Sequence, residues 1–195
     1  SSAFSIIAGT LSVSVTSVTF DKSQVIRGSE SVTATITIKN TGNTSGTFYI
    51  TASAQDVNTT WYDFTPTRTS KTLSAGSSGS VQVSWSPGAS VPIGSCYFYM
   101  KVFKASTGTD YYTDYEKSSA FSIIAGTLSV SVTSVTFDKS QVIRGSESVT
   151  ATITIKNTGS ISGTFYITAS AQDVNSIWYD FTLTRKSITL NDQSS

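Results

Sequence analysis

Short stretches of the chain alternate strictly between apolar and polar residues. Residues 32–38 place Val32, Ala34, Ile36 and Ile38 on one side and three threonines on the other. A period of two residues predicts a β-strand with one buried face. The same alternation occurs in residues 11–15, 47–54, 81–85 and 96–102, and weaker strands are predicted at 18–20, 61–65, 67–73 and 111–124.

Turn-forming residues separate these stretches. Residues 40–46 contain Asn, Gly and Ser in a loop of hairpin size, and residues 86–94 contain two prolines and two glycines. Residues 21–28 are predicted to form a polar turn. About seven or eight short strands with a turn every 8–12 residues are typical of an antiparallel two-sheet sandwich. The predicted fold class is all-β, with tandem antiparallel immunoglobulin-like β-sandwiches.

A long segment of the sequence occurs twice. Residues 1–42 recur unchanged as residues 118–159, and the next 36 positions differ at 10. The offset of 117 residues is the length of a domain rather than of one solenoid turn. The sequence therefore predicts a tandem array.

The position of the repeated motif Phe-Ser-Ile-Ile sets the predicted domain boundaries. Its second occurrence, residues 121–124, directly follows a tyrosine-rich strand, so the motif is expected to end a unit. We predict that residues 1–9 are the terminal strand of a preceding repeat. Residues 10–126 are then a complete sandwich, and residues 127–195 a second repeat that is incomplete on its C-terminal side.

Composition narrows the classes of partner. Charged residues make up 13% of the chain and the net charge is +1, so no basic field is available to hold nucleic acid. No apolar run is long enough to span a membrane. Ser and Thr alternate with Val, Ile and Phe, which coats the predicted strands with hydroxyl groups. This surface favours an extracellular or cell-surface protein.

Little in the sequence points to catalysis or to a cofactor. The chain has no histidine, which excludes Ser-His-Asp and Cys-His catalysis and removes the commonest zinc ligand. Asp110, Asp114 and Glu116 lie close together and are interpreted as solvated charges, with a weak cation site as the alternative. The single cysteine, Cys96, alternates with apolar residues and is predicted to be a buried, inert thiol. We therefore expect no enzyme activity, cofactor or metal.

Candidate interaction residues are aromatic or lie in a spare strand. Tyr97 and Tyr99 face away from the predicted core and, with Phe103, form a candidate protein interface. Residues 61–64, Trp-Tyr-Asp-Phe, are either a sugar-binding platform or, as we favour, packing at an end or edge of the sandwich. The candidate inter-unit strand consists of Phe4, Ser5, Ile6 and Ile7.

Two asparagines stand in N-glycosylation sequons. These are Asn43 and Asn58, each followed at the second position by Ser or Thr. Neither sequon survives in the second copy, where Ser160 replaces the first Asn and Asn175 is followed by Ser and Ile. We expect the first-copy sequons to be candidate modification sites.

The order of landmarks resembles immunoglobulin-like repeats of bacterial and archaeal surface proteins, of the CARDB and NEW3 type. The carrying features are Gly28 and Glu30 before the strand ending in Lys39-Asn-Thr-Gly, the small-residue turn at 74–79 before residues 81–85, and Gly94 before the tyrosine-rich strand. The resemblance covers residues 10–124. It implies an extracellular spacer, stalk or adhesion role without catalytic residues.

These observations favour a structural protein that assembles with itself. The expected function is that of a subunit of an extracellular filament, stalk or surface layer. Two accounts of its incomplete ends are open: neighbouring chains supply the missing strands by strand addition, or, as we favour, the chain is a window of a longer array. One alternative is a cell-surface adhesin that binds a glycan or receptor. Another is a set of spacer domains belonging to a secreted enzyme.

Overall fold

The described part of the chain is built from β-strands. The computed structural model describes Ser5, residues 7–181 and residues 184–192. Within these residues every regular element is a strand, so the predicted all-β, antiparallel sandwich class is confirmed. The chain divides into two compact units, Ser1–Ala125 and Gly126–Ser195.

The first unit is a two-sheet sandwich. Its strands are β1 (Val13–Phe20), β2 (Gln24–Ile26), β3 (Val32–Asn40), β4 (Gly46–Gln55), β5 (Trp61–Asp63), β6 (Thr69–Leu73), β7 (Ser78–Trp85), β8 (Gly94–Phe103) and β9 (Tyr111–Ile124). One sheet has the order β1-β3-β7; the other has the order β2-β9-β8-β4-β5, with β6 also pairing with β4. All of these pairings are antiparallel except that of β2 with β9.

The core lies between the two sheets and follows the alternation in the sequence. In β3, Val32, Ala34, Ile36 and Ile38 are fully buried, while the intervening threonines face outwards. The opposite sheet contributes the alternate side chains of β4 and β8, including the buried Cys96. Each large aliphatic or aromatic side chain buried in this way contributes about 1.5–3 kcal/mol.

A β-bulge lets both halves of β1 face the core. The register with β3 shifts between Val15 and Ser17, and the Thr16 hydroxyl donates to the Thr37 carbonyl at 3.1 Å. Without the extra residue, Val13 and Val18 would point to opposite faces. The strands predicted separately at residues 11–15 and 18–20 are thus joined by a bulge. The second unit repeats this bulge between Val132 and Ser134.

A buried asparagine closes the corner after β3. Asn40 Nδ2 donates to the carbonyls of Thr44 and Leu73, and its Oδ1 accepts the amide of Gly42 at 2.9 Å. A Cβ on Gly42 would collide with the Thr10 carbonyl oxygen, so the close passage of the two chain segments requires glycine there.

The segment at residues 21–28 differs from its prediction as a turn. It contains β2, a strand of three residues that pairs in parallel with the end of β9. Gln24, Val25 and Ile26 lie opposite Ser122, Ile123 and Ile124. A strand of three residues is too short to show an alternation of apolar and polar side chains. Its conformation is decided by its partner strand, which lies almost 100 residues later in the sequence.

The second unit repeats the first half of this fold. Its strands are β10 (Val130–Phe137), β11 (Ala151–Asn157), β12 (Gly163–Ile167), β13 (Ser170–Gln172), β14 (Trp178–Asp180) and β15 (Lys186–Leu190). They pair as β10 with β11, β12 with β15, and β13 with β14. Its described residues correspond to residues 9–75 of the first unit, so β7, β8 and β9 have no counterpart among them.

Candidate functional site

The end of β9 shows how a unit is completed. Phe121 lies opposite Cys96 in β8, and Ser122, Ile123 and Ile124 pair with β2 on the other side. Phe121 and Ile123 are both buried. This stretch therefore links the tyrosine-rich strand to the edge of the sheet and places two alternate side chains in the core.

Phe121 belongs to an aromatic cluster that joins the two sheets. Its ring centroid is 5.5 Å from that of Phe20 and 6.2 Å from those of Phe64 and Trp85. Phe98 contacts the same cluster, 5.0 Å from Phe20 in an edge-to-face arrangement. Such pairs add to the free energy of simple burial, because ring edges and faces carry opposite partial charges.

The Glu30 carboxylate holds the end of β2 in place. Glu30 Oε2 accepts the Ile26 amide at 2.7 Å, and Glu30 Oε1 pairs with Lys22 Nζ at 2.9 Å. The hydrogen bond from Ile26, with that from Lys22, lowers the pKa of the Glu30 carboxyl against the opposing effect of burial. The turn continues through Gly28, whose φ of 78° favours glycine.

The second unit keeps this device but lacks the strand beside it. Glu147 Oε2 accepts the Ile143 amide at 2.8 Å, Lys139 lies 3.6 Å from Glu147, and Gly145 has a φ of 81°. Residues 141–143 nevertheless pair with no strand among the described residues. Val142 and Ile143 are exposed, with Ile143 at 66%. The turn that holds this edge therefore forms without a strand beside it among the described residues.

An apolar cleft adjoins this edge. Val132 and Phe137 are 62% and 57% exposed, although their counterparts in the first unit face the core. Cavities of about 440 and 570 Å³ open between the strands. Their apolar lining includes Val135, Phe137, Val142, Val149, Ile153 and Phe181. The Phe137 and Phe181 rings lie 6.2 Å apart at the cleft.

The candidate inter-unit strand lies partly outside the described residues. This applies to Phe4 and Ile6, whereas Ser5 and Ile7 are described. Ser5 and Ile7 belong to no strand, and Ile7 is 72% exposed.

The three aromatic residues of the candidate interface lie on the outer face of β8 and are covered by neighbours. The rings of Tyr97 and Tyr99 each lie 6.0 Å from that of Trp61. The Tyr99 hydroxyl donates to Asp114 at 3.1 Å. Phe103 lies under the Arg68 guanidinium, 3.5 Å from the ring centroid.

Tyr97 also shows how the acidic residues of β9 are used. A hydrogen bond to Glu116, with a smaller effect of burial, raises the pKa of Tyr97 to about 12. Glu116 and Asp114 thus each face a tyrosine hydroxyl across the sheet. Among the described residues, no group of three or more His, Cys, Asp or Glu side chains is placed to hold a metal ion.

The cluster at residues 61–64 divides between packing and exposure. Tyr62 stacks on Trp85 with centroids 5.1 Å apart, and Phe64 is buried in the core. Trp61 instead remains 48% exposed on the outer face.

The two sequon asparagines occupy different settings. Asn43 is exposed, but its Oδ1 accepts the Thr10 amide at 2.6 Å and its Nδ2 donates to the Ala8 carbonyl at 3.2 Å. Asn58 lies exposed in the loop between β4 and β5, beside Thr59 at a φ of 66°. Of the two, Asn58 has the side-chain nitrogen better placed for a glycosyltransferase.

Asp56 is a buried residue that sequence reasoning missed. It follows β4 in a polar stretch that predicts only a loop, yet its carboxylate is buried. Cys96 is buried as predicted, and burial, with a contribution from the Asp56 charge, raises the pKa of its thiol to about 11.

Known proteins share little sequence with this chain. No family model and no curated protein matches the sequence. Among solved structures, the chain is similar to a β-glucosidase from Erythrobacter marinus, with 11% identity and a TM-score of 0.42 over 58% of this chain and 16% of the enzyme. An alkylpurine DNA glycosylase from Pseudomonas fluorescens gives 10% identity and a TM-score of 0.42 over 58% of this chain and 30% of the enzyme.

A third solved structure is a single module. It is a CARDB domain from Pyrococcus furiosus in complex with di-metal ions, with 11% identity and a TM-score of 0.40 over 63% of this chain and 99% of the domain. Within the described residues, the chain contains no helix with the length and apolar character of a membrane span.

Proposed function

We propose that this chain is a structural, non-enzymatic subunit of an extracellular assembly, a filament, stalk or surface layer made of tandem CARDB-like sandwiches. One observation carries the proposal. Residues 1–42 recur unchanged as residues 118–159, and both units pair their first two long strands in the same register with the same β-bulge. A repeat of domain length is typical of an array of equivalent units.

The outer surface supports an extracellular location. Threonine and serine hydroxyls face each other across strands, as in the pairs Thr37–Ser80 and Thr47–Thr72, both with oxygens within 3 Å. These neutral pairs coat both sheets without a strong field of either sign. Such a surface suits close lateral packing of copies, since a net charge of only +1 opposes it little.

The test is the state of the purified full chain. We expect filaments or sheets with a regular axial repeat in electron microscopy, and a sedimentation coefficient that rises with concentration. A wild-type chain that stays monomeric at all concentrations would contradict the proposal.

A second candidate function is glycan binding by the first unit. A polar groove of about 430 Å³ runs along the outer face and is lined by Thr51, Ser53, Asp63, Thr65 and Arg68 among others. The Thr65 hydroxyl oxygen is buried there without a hydrogen-bond partner. Titration with a panel of oligosaccharides would test this; binding that is lost in Asp63→Ala but retained in Asp180→Ala would favour an adhesin.

A further inference from the structure

Strand β7 is an edge strand of the first unit that lacks the features which usually protect such an edge. It pairs with β3 on one side, and no described strand pairs with its other side. Natural sheets block exposed edges with bulges, charged side chains, prolines or very short strands, because unpaired backbone groups recruit other chains. β7 has eight residues in unbroken register and no proline, and residues 72–100 contain no charged side chain.

The other edges of the first unit each carry at least one of these features. β1 is interrupted by its bulge after Val15, β2 and β5 have three residues each, and β6 contains Lys71. The Lys71 side chain lies against Gly79, so it covers only the beginning of β7. Among the described residues, every other strand of the unit is paired elsewhere and none is left for β7. An accessible stretch of edge therefore starts at Ser80.

The free backbone groups of β7 belong to alternate residues. The Asn40 amide donates to the Ser77 carbonyl at 2.9 Å, and the same register continues through β3 and β7. In an antiparallel pair, residues that bond the partner strand alternate with residues whose amides and carbonyls point the other way. The odd-numbered residues of β7 therefore bond β3, whereas the backbone groups of Ser80, Gln82 and Ser84 face the open side.

The sequence of this edge reads the same in both directions. Residues 80–84 are Ser-Val-Gln-Val-Ser, with Gln82 at the centre. An antiparallel partner runs in the opposite direction, so the same five residues of a second copy present an identical sequence. We propose that two copies of this chain associate through β7, antiparallel, about a two-fold axis at Gln82. The inference rests on the proposed self-association and names its lateral contact.

Every pair in this arrangement joins matched groups. Ser80 lies opposite the second copy's Ser84, Val81 lies opposite its Val83, and the two Gln82 residues face each other. Each pair with free backbone groups exchanges two main-chain hydrogen bonds. Val81 and Val83 are 8% and 3% exposed and face the core, so the valine pairs continue the core across the contact. The serines and glutamines stay on the outer face, where each of them already bonds a threonine of β3.

Symmetry and register restrict the contact to this one form. Both copies use the same patch, so the contact is isologous and joins two copies only. A shift by one residue would set free backbone groups against groups that already bond β3. A shift by two would set Ser80 against Gln82 and Gly79 against Val83. In a tandem array, this pairing links one array to another side by side.

Cross-linking of the full chain tests the axis. In Gln82→Cys the two thiols belong to directly opposed residues, whose Cα atoms are about 5.5 Å apart, a separation that a disulfide can bridge. Mild oxidation should give a covalent dimer without larger species. Cys96 is buried and does not compete. The matched control is Ser78→Cys, which is also exposed in β7. Its two thiols would stand about 27 Å apart along the strands, so only background cross-linking is expected.

A charge at the axis tests the contact in solution. Gln82→Glu keeps the shape of the side chain but sets two carboxylates against each other, whereas Ser78→Glu adds the same charge outside the paired residues. Sedimentation equilibrium at neutral pH should show a dissociation constant raised about tenfold by Gln82→Glu and nearly unchanged by Ser78→Glu. Both side chains are exposed, so the circular dichroism spectra of both variants should match that of the wild type.

The outcomes separate this contact from self-association in general. Equal dimer yields from the two cysteine variants, or equal dissociation constants for the two glutamate variants, would overturn the axis at Gln82. A wild-type chain that self-associates while Gln82→Cys gives no covalent dimer would overturn the β7 contact alone. A monomeric wild type together with a Gln82→Cys variant that gives no dimer would overturn the proposed self-association as well.

Discussion

The Tyr62 hydroxyl donates a hydrogen bond of 3.0 Å to Oδ2 of Asp56, directly after β4. The other carboxylate oxygen accepts the amides of Asn58 and Thr60 at 2.8 and 2.9 Å. The loop between β4 and β5 is therefore closed around one carboxylate. Because Tyr62 also stacks on Trp85 of the other sheet, the loop is tied to the core.

Replacement of Asp56 should weaken the first unit. In Asp56→Ala, the amides of Asn58 and Thr60 and the half-buried Tyr62 hydroxyl lose their acceptor, and we expect the Tm of the first unit to fall by several degrees in circular dichroism. The matched control is Asp173→Ala in the second unit. There the Tyr179 hydroxyl is 3.4 Å from the carboxylate and the loop is exposed, so the change should be smaller. Equal changes in the two variants would contradict this explanation.

The Asp56 carboxylate also makes the stability of the first unit depend on pH. Burial would raise the pKa of the Asp56 carboxyl, but hydrogen bonds from Thr60, Tyr62 and Asn58 outweigh it and lower the pKa. The pKa of Glu30 is lowered as well. A carboxyl with a lower pKa in the folded chain stabilises it above the ordinary value of about 4, and this contribution disappears as pH falls through the folded pKa.

We therefore expect the Tm to fall below about pH 4. Between about pH 6 and 8 the Tm should stay level, because histidine is the usual titrating group in this range and the chain has no histidine. The variant Asp56→Asn/Glu30→Gln should be less stable at neutral pH and should lose less of its Tm in acid. Thermal scans at a series of pH values measure both effects. If the Tm of this variant falls as steeply below pH 4 as that of the wild type, Asp56 and Glu30 are not the cause of the acid sensitivity.

Cys96 provides a probe of the folded first unit. Its thiol pKa is raised to about 11, mainly by burial, so the thiol is neutral and inaccessible at neutral pH. A thiol reagent at pH 8 should react only when denaturant unfolds the unit. A group with a raised folded-state pKa stabilises the fold below its ordinary pKa, and this contribution is lost as pH rises to about 11. Fast reaction in native buffer would show that β8 is not buried.

The repeat offers one side chain in two environments. Ile36→Ala removes a fully buried side chain of the first unit and should cost about 2–5 kcal/mol in the free energy of unfolding. Ile153→Ala changes the identical position of the second unit, where the side chain borders the open cleft and is only half-buried. Denaturant titration of the dilute chain should show a much smaller loss. A similar loss in both would mean that the cleft is filled.

Gly42 tests the packing of the corner after β3, and Gly88, in the loop between β7 and β8, is the control. Gly42→Ala would place a methyl group against the Thr10 carbonyl oxygen and 2.8 Å from the Ser12 amide nitrogen, and should cost about 1–3 kcal/mol. Gly88→Ala has no neighbouring atom within 4 Å and should be close to neutral. Urea unfolding of both variants compares them. A neutral Gly42→Ala would show that the loop moves aside freely.

Strands β3, β4 and β8 were predictable because each buries one face. Apolar and polar side chains therefore alternate with a period of two residues. The segment β2 could not be found this way, since three residues carry no period and the partner strand lies far along the chain. Asp56 was missed for a related reason. A polar residue in a polar loop gives no sign that an amide of Thr60 and a hydroxyl of Tyr62 will surround it. The exact repeat, by contrast, made the recurrence of the β1–β3 pairing in the second unit foreseeable.

The parallel pairing of β2 with the end of β9 also determines how the first unit resists mechanical force. When tension is applied at the two ends of a unit, β2 is drawn towards one end and β9 towards the other. Because the strands are parallel, this load runs along them and across their hydrogen bonds, including that from Arg27 to Ile124. Once β1 has separated from β3, these bonds are loaded in shear and must rupture together, so we expect this three-residue patch to set the unfolding force of the sandwich.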